Sequence, residues 1–219
     1  KIAIRLNKKA HILHVTTKEE VDFLSQNKGN ITFEITPQHL TLYSPDCYNK
    51  LGSYAQMNPP IRGKSHYDRL WYAVKNNLND TIGSDHAPHL KENKEKKYPN
   101  SPSGMPGVQT LLPVMLNHIN EGRLELEQLV KYLCENPCNI FGIQNKGFIK
   151  KGFDADITII DLSKNITIKN SKIESKCKWS PFNNQTFKGS PVVTIINGEI
   201  KMRNGEIIGN PTGKPMKFK

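Results

Sequence analysis

Residues 81 to 89, Thr-Ile-Gly-Ser-Asp-His-Ala-Pro-His, set an acid and two histidines directly behind a short β-branched run, which is how a strand delivers ligands. A carboxylate fixed at a strand end, here Asp85, can hold a divalent cation and also take a proton from water polarised by it, provided imidazoles from elsewhere complete the shell. Two further histidines stand just beyond β-branched runs: His14, which closes an apolar stretch from His11, and His39, which follows Ile31 to Ile35. A lone histidine at a strand end is ordinarily a hydrogen-bonded structural residue. The joint pattern of His14, His39 and Asp85 points instead to a hydrolytic metal site.

Three ligands so far apart in sequence converge only if successive strands carry them to one end of a sheet. The pattern supplies such strands. Ile2, Ile4 and Leu6 predict the end of an amphipathic helix, and His11 to Val15 a strand. Thr16 or Thr17 then caps a helix whose first turn holds Glu19 and Glu20 and whose buried face is Val21, Phe23 and Leu24. Ile31 to Ile35 is the next strand, Tyr67 to Asn77 a helix and Thr81 to Gly83 a further strand. Repeated βα units with chemical residues at the strand ends predict a parallel α/β fold, and ligands spread over several strands favour a barrel, whose catalytic groups gather at the C-terminal mouth.

Lys91 to Ser103 reads as a long polar loop, followed by helices over Val108 to Ile119 and Leu124 to Cys134 and a helix break at Asn136-Pro137. From about Gly147 the pattern changes to short strands at Asp156 to Ile160, Ile166 to Ile168, Val192 to Ile196 and Glu199 to Met202, with Asn197-Gly198 and Asn204-Gly205 as hairpin turns. Two regions follow: residues 1–145 as barrel, and residues 146–219 as a small β-sandwich-like segment.

The chain has 219 residues, 36% apolar and 23% charged, enough to bury a core. Cys47, Cys134, Cys138 and Cys177 are scattered without Cys-x-x-Cys spacing, which excludes a zinc knuckle or a disulfide framework. The net charge of +11 comes from lysines dispersed among asparagines, with no aromatic-interleaved stripe, so it predicts attraction of small anionic substrates and no nucleic-acid partner. No apolar run is long enough to span a membrane, and the first residues are too polar for a secretory signal. A cytoplasmic location is the expectation.

In this order, His11-Ile-Leu-His-Val-Thr-Thr-Lys-Glu-Glu20, Ile35-Thr-Pro-Gln-His-Leu40, Met57-Asn-Pro-Pro-Ile-Arg62 and Gly83-Ser-Asp-His-Ala-Pro-His89 resemble the C-terminal half of a dihydroorotase, in the amidohydrolase superfamily. The resemblance runs on through Ser103-Gly104, Gly152-Phe-Asp-Ala-Asp-Ile157 and Lys178-Trp-Ser-Pro-Phe182 to Asn197-Gly198. It implies the C-terminal half of a distorted (β/α)8 (TIM-like) barrel, strands five to eight, followed by a small β module. It further implies two Zn2+ ions, with His14 and His39 as ligands after strands five and six, and Asp85 after strand eight as ligand and general acid/base. The implied reaction is the reversible conversion of dihydroorotate and N-carbamoyl-L-aspartate in pyrimidine biosynthesis. Position by position, Asn58 would hydrogen-bond the pyrimidine ring, His89 would meet the substrate carboxylate, and backbone at Ser103 and Gly104 would face the ring. His86 would brace its loop, and His11, His66, His118, Trp179 and Phe182 carry structural expectations.

The His-x-His pair, the carboxylated lysine and the carboxylate-clamping residues of that family are not found in this sequence. His11 and His14 cannot stand in for the pair, because residues three apart on a strand face opposite ways. The N-terminal half of the site is therefore expected from outside this chain, as another segment or a partner chain, and the half-barrel is not expected to fold alone. A homo-oligomer stays open. Allantoinase or dihydropyrimidinase chemistry is the alternative, and a non-catalytic amidohydrolase homologue the second.

Overall fold

A computed structural model describes all residues from 1 to 219. Helix α1 (Ile2–Arg5) leads to strand β1 (Ala10–Ile12), helix α2 (Lys18–Gln26) and strand β2 (Ile31–Ile35). Two short helices, α3 (Pro37–Thr41) and α4 (Asp46–Leu51), and a 3-10 turn (Gly52–Ala55) precede the longer α5 (Lys64–Lys75) and strand β3 (Thr81–Ile82). Helix α2 starts where a capping box forms: the Thr17 hydroxyl accepts from the Glu20 N–H, and the Glu20 carboxylate accepts from the Thr17 N–H at 3.0 Å. Strand β2 alternates, with Ile31, Phe33 and Ile35 buried against Val21, Leu70, Val74 and Met115 from the helices.

The three strands form one parallel sheet in the order β1-β2-β3, with Ile12 opposite Phe33 and Ile35 opposite Ile82. Three parallel strands are present where four were expected, and β2 pairs directly with β3. If β3 is the eighth strand, β1 and β2 are the sixth and seventh, one place later than the sequence reading put them. That shift changes which side chains sit at ligand positions.

Helix α6 (Lys91–Lys94) interrupts the expected polar loop, and α7 (Leu111–Asn120) and α8 (Leu126–Val130) follow. The helix does not break at Asn136-Pro137. A π-helical turn (Lys131–Glu135) carries the chain into α9 (Asn136–Phe141), and the wider turn lets the Asn136 N–H reach Lys131 O while Pro137 occupies the first turn of α9, where no N–H is needed.

Strands β4 (Ile157–Thr167), β5 (Thr186–Ile196), β6 (Glu199–Arg203) and β7 (Glu206–Ile207) form one antiparallel sheet in chain order. The two short strands expected near residues 156 and 166 are one long β4 whose register against β5 slips twice. Both Asn-Gly turns have positive φ at both residues, 52° and 82° at Asn197-Gly198 and 52° and 89° at Asn204-Gly205, as type I′ hairpins require. The two regions share a core: Met57, Met105 and Val114 pack with Ile168, Trp179, Phe182 and Phe187. At the seam Gly189 lies so close to α7 that a Cβ there would stand 2.5 Å from Leu116 Cβ. No helix is long and apolar enough to cross a membrane.

Candidate active site

The residues after β1 and β3 share an uncommon backbone. His14 has φ 40° and Asp85 φ 39°, left-handed values that cost a non-glycine residue about 1 kcal/mol or more. Each turn is braced from the strand between them or from the loop behind. The His14 N–H donates to Glu34 Oε1 at 3.3 Å and the Val15 N–H to Glu34 O at 2.9 Å, so β2 holds the first turn. The Asp85 turn is held by Gln38 Nε2, which donates to Ser84 O at 2.9 Å, and by His86 Nδ1, which accepts from the Gly107 N–H at 3.1 Å. Gly107 lies so close that a Cβ there would stand 2.3 Å from Ser84 O. His86 thus braces its loop, as expected.

Burial raises the Asp85 carboxyl above the usual aspartate range, and the charge of nearby His14 opposes the rise. The same His14 is felt at His39. Yet His14, His39 and Asp85 do not gather as one metal-holding trio, since no three His, Cys, Asp or Glu side chains in the chain come together closely enough.

His39 is the member that stands apart. It lies in the first turn of α3, 2% exposed, behind the Thr36 cap. The Thr36 hydroxyl donates to His39 Nδ1 at 2.7 Å, and His39 Nε2–H donates to the Pro59 carbonyl at 3.1 Å. Both ring nitrogens are engaged in a neutral ring whose pKa burial lowers to about 4. The expectation that His39 is a strand-end ligand is therefore corrected: the strand ends at Ile35, and the imidazole is turned into the protein.

His14 and Asp85 fit part of a shell for a divalent cation. An imidazole and a carboxylate suit zinc, but two protein ligands do not close even an open catalytic site, which takes three. The rest must come from other residues.

The four expected substrate residues converge on one connected wall. His89 Nε2–H donates to Ser103 O at 2.9 Å, and the Gly104 N–H donates to Gln56 O at 3.0 Å. Gln56 Nε2 donates to Ser101 O at 2.8 Å and approaches Ser103 Oγ at 3.3 Å. Asn58, two residues on, is exposed beside Ser103 on the rim of a cavity of about 830 Å³. Gly104 has φ 138°, and a Cβ would stand 2.6 Å from Ala87 O, so the wall tolerates no side chain there.

Three parts of this wall escape sequence reasoning. Gln56 precedes the recognisable Met57-Asn-Pro-Pro segment. Lys94 is buried at 0% exposure although it sits in a run of lysines, asparagine and glutamates. Trp179 donates from Nε1 to His89 O at 2.7 Å, tying the β module to the wall. Only Trp179 gave a signal, as a core anchor. The remaining histidines are structural: His11 Nδ1 lies 2.8 Å from Thr32 Oγ1, His66 Nδ1 accepts from the Lys18 N–H, and His118 packs edge-on to Trp71.

Among known proteins, residues 4–201 match the Amidohydrolase family. A dihydroorotase of Methanosphaera stadtmanae is 40% identical over 201 residues, covering 90% of this chain and 46% of that protein. An L-hydantoinase of Paenarthrobacter aurescens is 37% identical over 205 residues, covering 90% of this chain and 44% of its own length. Among solved structures, the L-hydantoinase (dihydropyrimidinase) from Arthrobacter aurescens superposes with a TM-score of 0.89 at 34% identity, over 95% of this chain and 48% of that one. The chain thus spans about half the length of the relatives it matches.

Proposed function

This chain belongs to the amidohydrolase family, and we propose that it is one half of a zinc-dependent cyclic amide hydrolase that interconverts dihydroorotate and N-carbamoyl-L-aspartate, the pyrimidine-biosynthetic reaction of the cytoplasm. The observation that carries the reading is the His14–Asp85 pair: two strained, separately braced turns in one charge environment, beside the wall of Gln56, His89, Ser103 and Gly104. Strain of this kind persists where a site over-determines it.

Of the three expected ligands, His14 and Asp85 are the ones proposed here, for a site of two zinc ions. The remaining ligands come from the N-terminal half of the barrel, outside these residues. When bound, the cations supply Lewis acidity at the ring carbonyl and make water acidic enough to attack it at neutral pH. Asp85 takes the proton of the attacking water at its carboxylate and returns it to the departing ring nitrogen. Asn58 hydrogen-bonds the ring, His89 and the backbone at Ser103 and Gly104 orient it, and His89 meets its carboxylate.

The resemblance to an L-hydantoinase supports a second reading, a cyclic amidase of uncharged rings. The test is turnover by the barrel completed with its N-terminal half and loaded with zinc. Dihydroorotate is the expected substrate, with dihydrouracil, hydantoin and allantoin inert. Turnover of an uncharged ring with none of dihydroorotate overturns the first reading in favour of the second, and a completed barrel that binds no zinc and turns over nothing favours a non-catalytic homologue.

A further inference from the structure

We infer that Lys94 is a specificity residue for the proposed substrate: a buried, uncompensated cation behind the wall that draws the ring carboxylate and fixes the two backbone segments that face it. The inference rests on the anionic-substrate reading above. Its basis is geometric. The ammonium is fully buried and donates to Gln56 O and to Pro102 O, both at 2.8 Å, so it ties the segment entering Asn58 to the segment entering Ser103 and Gly104. Gln56 O also accepts from the Gly104 N–H, and the ammonium lies 5.8 Å from the centre of the Trp179 ring, whose Nε1 holds His89 O. Lys94 is thereby joined to every segment of the wall.

No carboxylate neutralises it. Glu95, next in sequence, accepts from the Tyr54 hydroxyl at 2.7 Å instead. The other charged side chains of the same helix, Lys91 and Glu92, are exposed; Tyr54 packs on Trp179 and His89 is bonded to it, Tyr48, Lys96, Lys97 and Tyr98 line the cavity beside Gln56 and Ser103, and Cys177 lies in the core with Trp179. Burying a lysine against two carbonyls and the face of Trp179, with no anion beside it, is costly, and burial lowers its pKa to about 8. Two carbonyls could be bridged as well by a neutral donor, so a tie alone does not account for a charge. A cation held on two carbonyls of the wall gains a further favourable interaction when an anion arrives in front of that wall.

The experiment compares the zinc-loaded completed barrel with its Lys94→Met variant by calorimetric titration of orotate and of uracil at pH 7. Both rings are planar pyrimidines, and only one carries the carboxylate. The inference expects the Kd for orotate to rise about tenfold or more relative to that for uracil, an effect that charge stabilisation of this range supports. Equal loss for both ligands means that Lys94 only props the wall, and no loss for either means that it does nothing there; both results overturn the inference. If Lys94→Met does not fold, the wild type is titrated at pH 7 and pH 9, because the neutral amine keeps N–H donors for both carbonyls while losing its charge. The orotate-to-uracil preference then falls with rising pH, and a constant preference overturns the inference. Failure of the wild type to bind either ring would instead overturn the proposed substrate and is distinguishable on that ground.

Discussion

Replacing His39 by glutamine separates a buried structural imidazole from a metal ligand, and the structure sets the size of each effect. The ring accepts from the Thr36 hydroxyl and donates to Pro59 O, so the variant leaves at least one buried partner poorly satisfied, at a cost of about 1–3 kcal/mol at pH 7.5. A second signature follows from protonation. In the folded chain the imidazole titrates at about 4, against 6.5 for a free one. Between those values the unfolded chain binds the extra proton and the folded chain does not, so the stability from the neutral ring is complete above 6.5 and is lost as pH falls toward 4. At about 1.4 kcal/mol per pH unit, the loss is about 2 kcal/mol by pH 5 and about 3 kcal/mol by pH 4. Urea unfolding of the completed barrel, measured metal-free in wild type and His39→Gln, should show the gap between the two closing by about 2 kcal/mol from pH 7 to pH 5. Zinc content by elemental analysis at pH 7.5 should be unchanged in His39→Gln and reduced in His14→Gln. Loss of zinc in His39→Gln equal to that in His14→Gln, or a stability gap that does not move with pH, would refute the assignment.

Asp85→Asn keeps a residue type that tolerates the left-handed backbone at φ 39°, so thermal stability should hold while turnover of dihydroorotate falls by about 10²–10⁴; an active variant would move the acid/base role elsewhere. Gly104→Ala forces a Cβ to within 2.6 Å of Ala87 O at φ 138° and should raise KM and cost about 1–3 kcal/mol in denaturant unfolding, whereas an unchanged KM would take Gly104 out of the substrate wall. Gly205→Ala, in a type I′ turn at φ 89°, should cost about 1 kcal/mol in a thermal melt without altering KM. An altered KM would mean that the β6-β7 hairpin reaches the site.

The parts of the fold that burial dictates were readable. Ile31, Phe33 and Ile35 alternate, Thr17 and Glu20 announce a capped helix, and the Asn-Gly pairs name their hairpins. His39 misled because distance along the chain does not show where a strand ends. Thr36-Pro37 is itself a helix start, with a capping hydroxyl and a proline in the first turn, and it takes His39 off the strand. Lys94 was illegible for a different reason. In Lys-Glu-Asn-Lys-Glu-Lys-Lys every residue has the composition of a solvated face, and only the packing of α6 under Trp179 puts one of them inside.

The inner face of the parallel sheet decides between a barrel and an open sheet. On β2 the residues opposite the apolar core are Thr32 and Glu34. Thr32 Oγ1 meets His11 Nδ1 at 2.8 Å, Glu34 Oε2 lies 3.6 Å from His11 Nε2, and Thr81 Oγ1 is 3.4 Å from the same nitrogen. Three strands therefore contribute to one polar network on the face opposite Ile31, Phe33 and Ile35, where Phe141 of α9 packs edge-on to His11 with ring centres 5.3 Å apart. An open sheet wound on both sides would carry a second apolar face there for a second layer of helices to cover. Strand order follows chain order without reversal, so the topological switch point of an open sheet is also missing. At Gly83 a Cβ would stand 2.5 Å from the Glu34 carboxylate. The sheet leaves room for an acid on its inner side, directly below the turn that carries Asp85 and bonded to the backbone of the turn that carries His14. Inner-face chemistry and mouth chemistry are thus built as one structure, which is how a barrel places catalytic groups at the C-terminal ends of its strands.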